Sequence, residues 1–135
     1  MRAFGLRNTE SNHNLKAICR MARIWKGQHN IAISGMLIDT LAYQFIDSWP
    51  YKDKSYMYHD WLVRDFFKCL SEADRSQEWW RAPGSGSWVY KSGAFVSKVK
   101  EAYENALQAI LRDSNNQQWA ASMYWQLIFG TNYHV

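Results

Sequence analysis

The 135-residue chain predicts an all-α domain, on three observations. Apolar residues recur at three- and four-residue spacing over five separate stretches. The two prolines, Pro50 and Pro83, fall between those stretches and not inside them. Apolar residues make up 47% of the chain and charged residues 21%, the balance of a globular chain with enough greasy surface for one core. With 16% of residues aromatic, large rings must fill much of that core.

Each element has its own justification. Residues 1–13 are an N-terminal arm, and residues 14–135 are a single helical domain. Asn14 is a candidate cap for a first helix to about Gln28, with Leu15, Ile18, Met21, Ala22 and Trp25 on one side. Ser34 has the chemistry of an N-cap for a second helix, whose Leu37, Ile38, Leu41, Ala42, Phe45 and Ile46 make a wide apolar face. Trp49-Pro50 ends it. A Tyr-rich connector leads to a third helix, about Tyr58 to Ala73, with Trp61, Leu62, Phe66, Cys69 and Leu70 directed inward. Residues 74–91 read as irregular, with a Gly-rich loop at Pro83-Gly84-Ser85-Gly86-Ser87. A fourth helix runs from about Ser92 to Arg112 and a fifth from about Gln117 to Phe129, closed by Gly130. Asn30-Ile31-Ala32-Ile33 has strand composition but no evident partner.

The longest greasy stretch, Met36 to Ile46, is interrupted by Asp39, Thr40 and Gln44. It is far short of the roughly 20 apolar residues that cross a bilayer. The opening MRAFGLRNTE has no apolar signal region, so a cytoplasmic protein with no membrane partner is expected. Cys19 and Cys69 form no CxxC and read as small core residues.

Charge is concentrated on the first helix. Lys16, Arg20 and Arg23 fall at i, i+4 and i+7, Lys26 lies one step round, and no acidic residue of that helix offsets them. Such a stripe suits a polyphosphate or a nucleic-acid backbone, and it equally describes a solvated outer face. Ser34 adds a helix N-terminus, whose free N–H groups and positive dipole end attract phosphate. The overall formal charge of +4 agrees with an anionic partner without demanding one.

Other chemistry finds little support. The Gly-rich loop lacks the GxxxxGK[ST] pattern, and His13, His29, His59 and His134 have no metal-binding spacing. No GxSxG elbow is present. The seven aspartates include no Asp-x-Asp pair, the arrangement needed to hold two cations about 4 Å apart. No catalytic residue and no metal ligand is therefore assigned. Trp79, Trp80 and Trp88 flank the Gly-rich loop and suit either base stacking or core packing.

The blocks LKAICRMARIWK, ISGMLIDTLAYQFI, YHDWLVRDFF, APGSGSWV and WQLIFGTNY, in that order, resemble one family over residues 12–133. They are similar to the C-terminal helical lobe of bacterial nucleotidyltransferases related to cyclic GMP-AMP synthase and the oligoadenylate synthetases. Those enzymes make cyclic or linear second-messenger nucleotides from nucleoside triphosphates in anti-phage defence. The resemblance implies a helical lobe that closes a nucleotide cleft and is not catalytic alone. It implies that catalytic aspartates and Mg²⁺ belong to an N-terminal lobe that this sequence lacks, so the chain is expected to be a fragment or an isolated domain.

The family's basic phosphate contact falls on Arg23, before Ile24-Trp25, and its serine contact on Ser34. Arg20 and Lys26 are supporting candidates, and Gly35 stands where relatives often carry a base-stacking aromatic residue. The expected partners are nucleoside triphosphates and the missing lobe, with self-association through the face that lobe would cover. Two other classes stay open: a stand-alone basic module for nucleic acid, and a structural or protein-interaction bundle with the three tryptophans as its contact patch.

Overall fold

Six α-helices build the domain among the residues that the computed structural model describes, which are 2–31, 33–72, 79–81, 88–90 and 96–130. They are α1 (Arg2–Glu10), α2 (Asn14–His29), α3 (Gly35–Ser48), α4 (His59–Ser71), α5 (Val96–Ser114) and α6 (Gln118–Phe129). A 3₁₀ turn at Tyr56–Tyr58 leads into α4. The all-α expectation holds, with one more helix than the periodicity indicated. No helix among the described residues is long and apolar enough to cross a membrane.

The extra helix lies in the arm. Arg2–Glu10 has little amphipathic character, and Gly5 weakens its helix propensity. Tertiary contacts hold it instead. Arg7 Nη1 donates to the Tyr43 carbonyl at 3.1 Å, and its guanidinium lies 3.8 Å from the centre of the Tyr43 ring. Residues 74–91 also differ from the irregular reading. Strands β1 (Trp79–Arg81) and β2 (Trp88–Tyr90) form a short antiparallel ribbon against α3, with Trp80 opposite Val89. The Gly-rich loop 83–87, the side chains of Trp79, Trp80 and Trp88, and His134 lie outside the described residues.

α2 is the hub, touching α1, α3, α4 and α6, while α5 packs between α4 and α6. Trp25 is buried and meets Phe67 edge-on at 5.0 Å, and Phe45 meets Phe66 at 5.5 Å. On α5, Val99, Ala102, Ala106 and Ala109 are buried, and their small size lets neighbouring helices approach closely. Ile31 and Ile33 form no strand and bury their side chains in the linker between α2 and α3.

Asn14 departs from its expected role. It is the first residue of α2, not its cap, and the capping position is His13 in left-handed conformation. The orphan N–H groups of α2 are served from α1 and its corner: Leu15 N–H donates to Ser11 Oγ and Lys16 N–H to Asn8 Oδ1. Asn14 is freed to reach outward. Its amide N–H₂ donates to the carbonyls of Lys52 (3.0 Å) and Lys54 (2.9 Å). With both protons committed, its Oδ1 accepts from His59 Nε2 at 3.1 Å.

The helix ends follow local chemistry. α2 runs past Gly27 and stops at Asn30, whose φ of 52° is the left-handed conformation that Asn tolerates. α3 stops where Trp49 turns extended ahead of Pro50. Trp49 Nε1 then donates to Asp65 Oδ2 on α4 at 2.9 Å. α6 ends at Gly130 with φ +91°, and a side chain there would run into the Gln28 amide. Cys19 is buried as expected, but Cys69 is exposed. Trp61 is likewise only partly covered, because Val63 and Phe67 occupy the inner face of α4 in their place.

Asn14→Ala strips three hydrogen bonds from a buried site, so it should lower unfolding free energy by about 2–3 kcal/mol. Urea denaturation reads this, with Thr9→Ala on the exposed side of α1 as a near-neutral comparison. A loss for Asn14→Ala no larger than that of Thr9→Ala would contradict the clamp.

Candidate anion site at the start of α3

Ser34 caps α3 as its chemistry predicts. Its backbone is extended, and its Oγ accepts the Leu37 N–H at 3.0 Å. No acidic residue stands in the first turn of α3, so the positive end of the helix dipole is not offset there.

Arg23 comes to this same point from α2. Its Nη2 donates to the Gly35 carbonyl at 3.3 Å and to Asp39 Oδ2 at 2.6 Å. A Cβ built on Gly35 would lie 2.9 Å from Arg23 Nη1 and 3.0 Å from its Cζ. The guanidinium therefore occupies the space that a larger residue would claim, which is a physical reason for glycine at position 35. Two of the residues singled out from sequence, Arg23 and Ser34, thus meet at one helix start. The Arg23 side chain is about half exposed. Among the described residues its Nε and Nη1 have no hydrogen-bond partner, which leaves two donor positions of the fork open to solvent.

The other two do not join them. Arg20 is exposed on α2, and its charge bears on His59 of α4. Lys26 is half-buried in the last turn of α2, where its backbone carbonyl accepts the Asn30 and Ile31 N–H groups. A cation there favours the negative end of the α2 dipole. Lys16 is exposed, and among the described residues neither it nor Arg20 has a carboxylate within salt-bridge distance.

Asp39 is the residue that sequence reasoning missed. It lies sixteen positions from Arg23, and no local spacing links the two. Its Oδ1 is buried without a hydrogen-bond partner among the described residues. Cys19 borders the same carboxylate. Burial pushes its thiol well above the usual range, and the adjacent negative charge pushes it further, so it stays protonated as a weak S–H donor. Asp39 in turn raises the pKa of Arg23, chiefly through their hydrogen bond.

The arrangement therefore offers a cation, a helix N-terminus and a hydroxyl, together with one carboxylate that competes for the cation. Among the described residues no three His, Cys, Asp or Glu side chains are grouped to hold a metal ion. No known protein family, curated protein or solved structure matches the chain.

A second titrating site lies behind Arg20. His59 is half-buried, and its pKa falls below 6.5, first through burial and then through the Arg20 charge. The fold thus favours the neutral ring, so the unfolded chain binds the proton more readily. Stability should be intact above pH 6.5 and lost as pH falls below it toward the depressed folded value. Asp60 has the opposite sign: burial and then Asp113 raise its pKa above 3.8, so its contribution is lost as pH rises through that carboxylate range. Urea midpoints between neutral pH and about pH 5 should fall more steeply for the natural chain than for His59→Gln, which keeps a donor for Asn14. Equal slopes would remove His59 from this account.

Proposed function

We propose that this chain is a phosphate-binding helical lobe of a nucleotidyltransferase that makes second-messenger nucleotides for anti-phage defence, with the chemistry carried by another lobe. The observation that carries this reading is the meeting of Arg23 with the capped start of α3. The motif order over residues 12–133 points the same way.

A triphosphate would approach along the unoffset end of α3. There the backbone N–H groups of the first turn present partial positive charge, and Arg23 adds a full one. The free Nε and Nη1 donors would take phosphate oxygens, spreading charge without a proton transfer. Ser34 would act mainly through the cap, because its Oγ is already accepting the Leu37 N–H and has only its own proton to offer. The described residues hold no metal cluster, so Mg²⁺ would have to be carried by the other lobe, and no step here runs through it.

The exposed Lys16 and Arg20 also fit a nucleic-acid backbone, which keeps a basic binding module as the second reading. Calorimetry with ATP and GTP separates the two. The chain should bind triphosphate, and Arg23→Ala should weaken it about 10- to 100-fold, the scale of one or two charge-assisted hydrogen bonds. Asp39→Asn should tighten it by freeing the cation, while Lys68→Ala on α4 should change nothing. Absence of triphosphate binding, or indifference to Arg23→Ala, would overturn the proposal. Salt-sensitive binding of long nucleic acid in its place would establish the second reading, and binding of neither would leave a structural bundle.

A further inference from the structure

α6 carries no charged residue at all: its twelve residues read QWAASMYWQLIF. One side packs on the domain through Ala121, Trp125, Ile128 and Phe129, all buried. The opposite side presents Trp119, Met123 and Leu127, which are 78%, 47% and 55% exposed. These three stand at i, i+4 and i+8, so they form one continuous ridge along the helix. A helix that is apolar all round is normally buried all round. Together the three side chains expose roughly 400 Å² of apolar surface, the size of patch that marks an interaction site on a small protein.

We infer that this ridge is the contact face of a homodimer, in which α6 of one copy packs antiparallel on α6 of a second copy. Symmetry selects the second copy as the occupant. A two-fold axis through Met123 exchanges Trp119 with Leu127, about 12 Å away along the helix. Beside Leu127 the surface opens a recess of about 200 Å³, lined by Trp25, His29, Lys98, Glu101, Ala102, Asn105, Leu127 and Ile128. The same operation therefore sets the projecting Trp119 of each copy over the recess of the other. The recess lining is part apolar, to take the ring, and its Glu101 and Asn105 can accept from the indole N–H. An uncharged helix meets its own copy without like-charge repulsion. Two i±4 ridges interlock at a crossing angle near −50°. The ridge supplies roughly half of the ~800 Å² per partner of a standard interface, and the recess walls and the polar flanks of α5 and α6 extend it.

Sedimentation velocity tests the inference on the chain as it stands. The mass should rise from 15.9 kDa toward twice that value as concentration increases through the micromolar range. Met123→Glu sets two carboxylates face to face at the axis and should weaken the dimer about 30-fold or more, the scale of a central hot-spot residue. Met57→Glu, at a 76% exposed position outside α6, should leave it unchanged. A cysteine pair keeps the test independent of any folding defect. In a Cys69→Ser background, Trp119→Cys mixed with Leu127→Cys should cross-link, and Trp119→Cys with itself should not. A chain that stays at 15.9 kDa throughout, or a Trp119→Cys variant that cross-links with itself, would overturn the antiparallel dimer and leave the ridge to some other partner.

Discussion

The fold depends on how the first turn of α2 is satisfied. An α-helix leaves four N–H groups without partners at its start, and burying them unpaired costs about 1–3 kcal/mol each. α2 touches four other helices, so its N-terminus is crowded and water cannot do the work. Ser11 and Asn8 of the preceding corner take two of the donors. That service lets Asn14 spend its side chain on the carbonyls of Lys52 and Lys54 and on His59. One buried amide thereby ties α2 to the turn after α3 and to the first residue of α4. Around that knot the aromatic core can assemble, from Trp25 through Phe67, Phe66 and Phe45 to Trp49.

This knot also explains what was legible in the sequence and what was not. α2 through α6 are written in apolar spacing, and the cap at Ser34 and the stops at Pro50 and Gly130 are local chemistry. Those features survive into the structure because the same few residues decide both. α1 was not legible, since its helix is held by Arg7 on Tyr43 and not by an apolar stripe. Asn14 looked like a cap because Asn is a good cap, and nothing local reveals that the corner before it does that task. The ribbon at 79–81 and 88–90 is too short for alternation to show. Cys69 followed the apolar spacing of α4, yet Phe66 and Phe67 fill the core there and leave it outside.

At the candidate site, Arg23 and Ser34 were visible from residue type and helix spacing, but their meeting is a tertiary fact. Asp39 changes what that meeting can do. Its bond to Arg23 is short, yet the guanidinium is half exposed, so as a stabilising contact it is worth little, about 0–1 kcal/mol. Its effect on binding is larger in principle, because an incoming phosphate must share the cation or displace the carboxylate. The buried, unpartnered Oδ1 and the protonated Cys19 thiol beside it describe a carboxylate with few alternatives to Arg23. The guanidinium is therefore both positioned by Asp39 and partly neutralised by it, and only the donors facing away from α3 remain for a ligand.

α6 presents the reverse case, in which the sequence says more than the isolated fold uses. Half of its apolar surface is explained by packing on α2 and α5. The other half follows the same helical period and has no intrachain partner among the described residues. A ridge kept for solubility would carry charge, since Lys or Glu at positions 119, 123 or 127 would cost the fold nothing. Trp at the most exposed of them is the least economical choice for a surface in water and a sound one for a surface that closes on a recess. The anion site and the ridge make separate demands on the chain: the first needs Arg23 with the start of α3, the second needs only the outer face of α6. Loss of one would therefore leave the other standing, and a domain with both would bring two anion sites into a single symmetric particle.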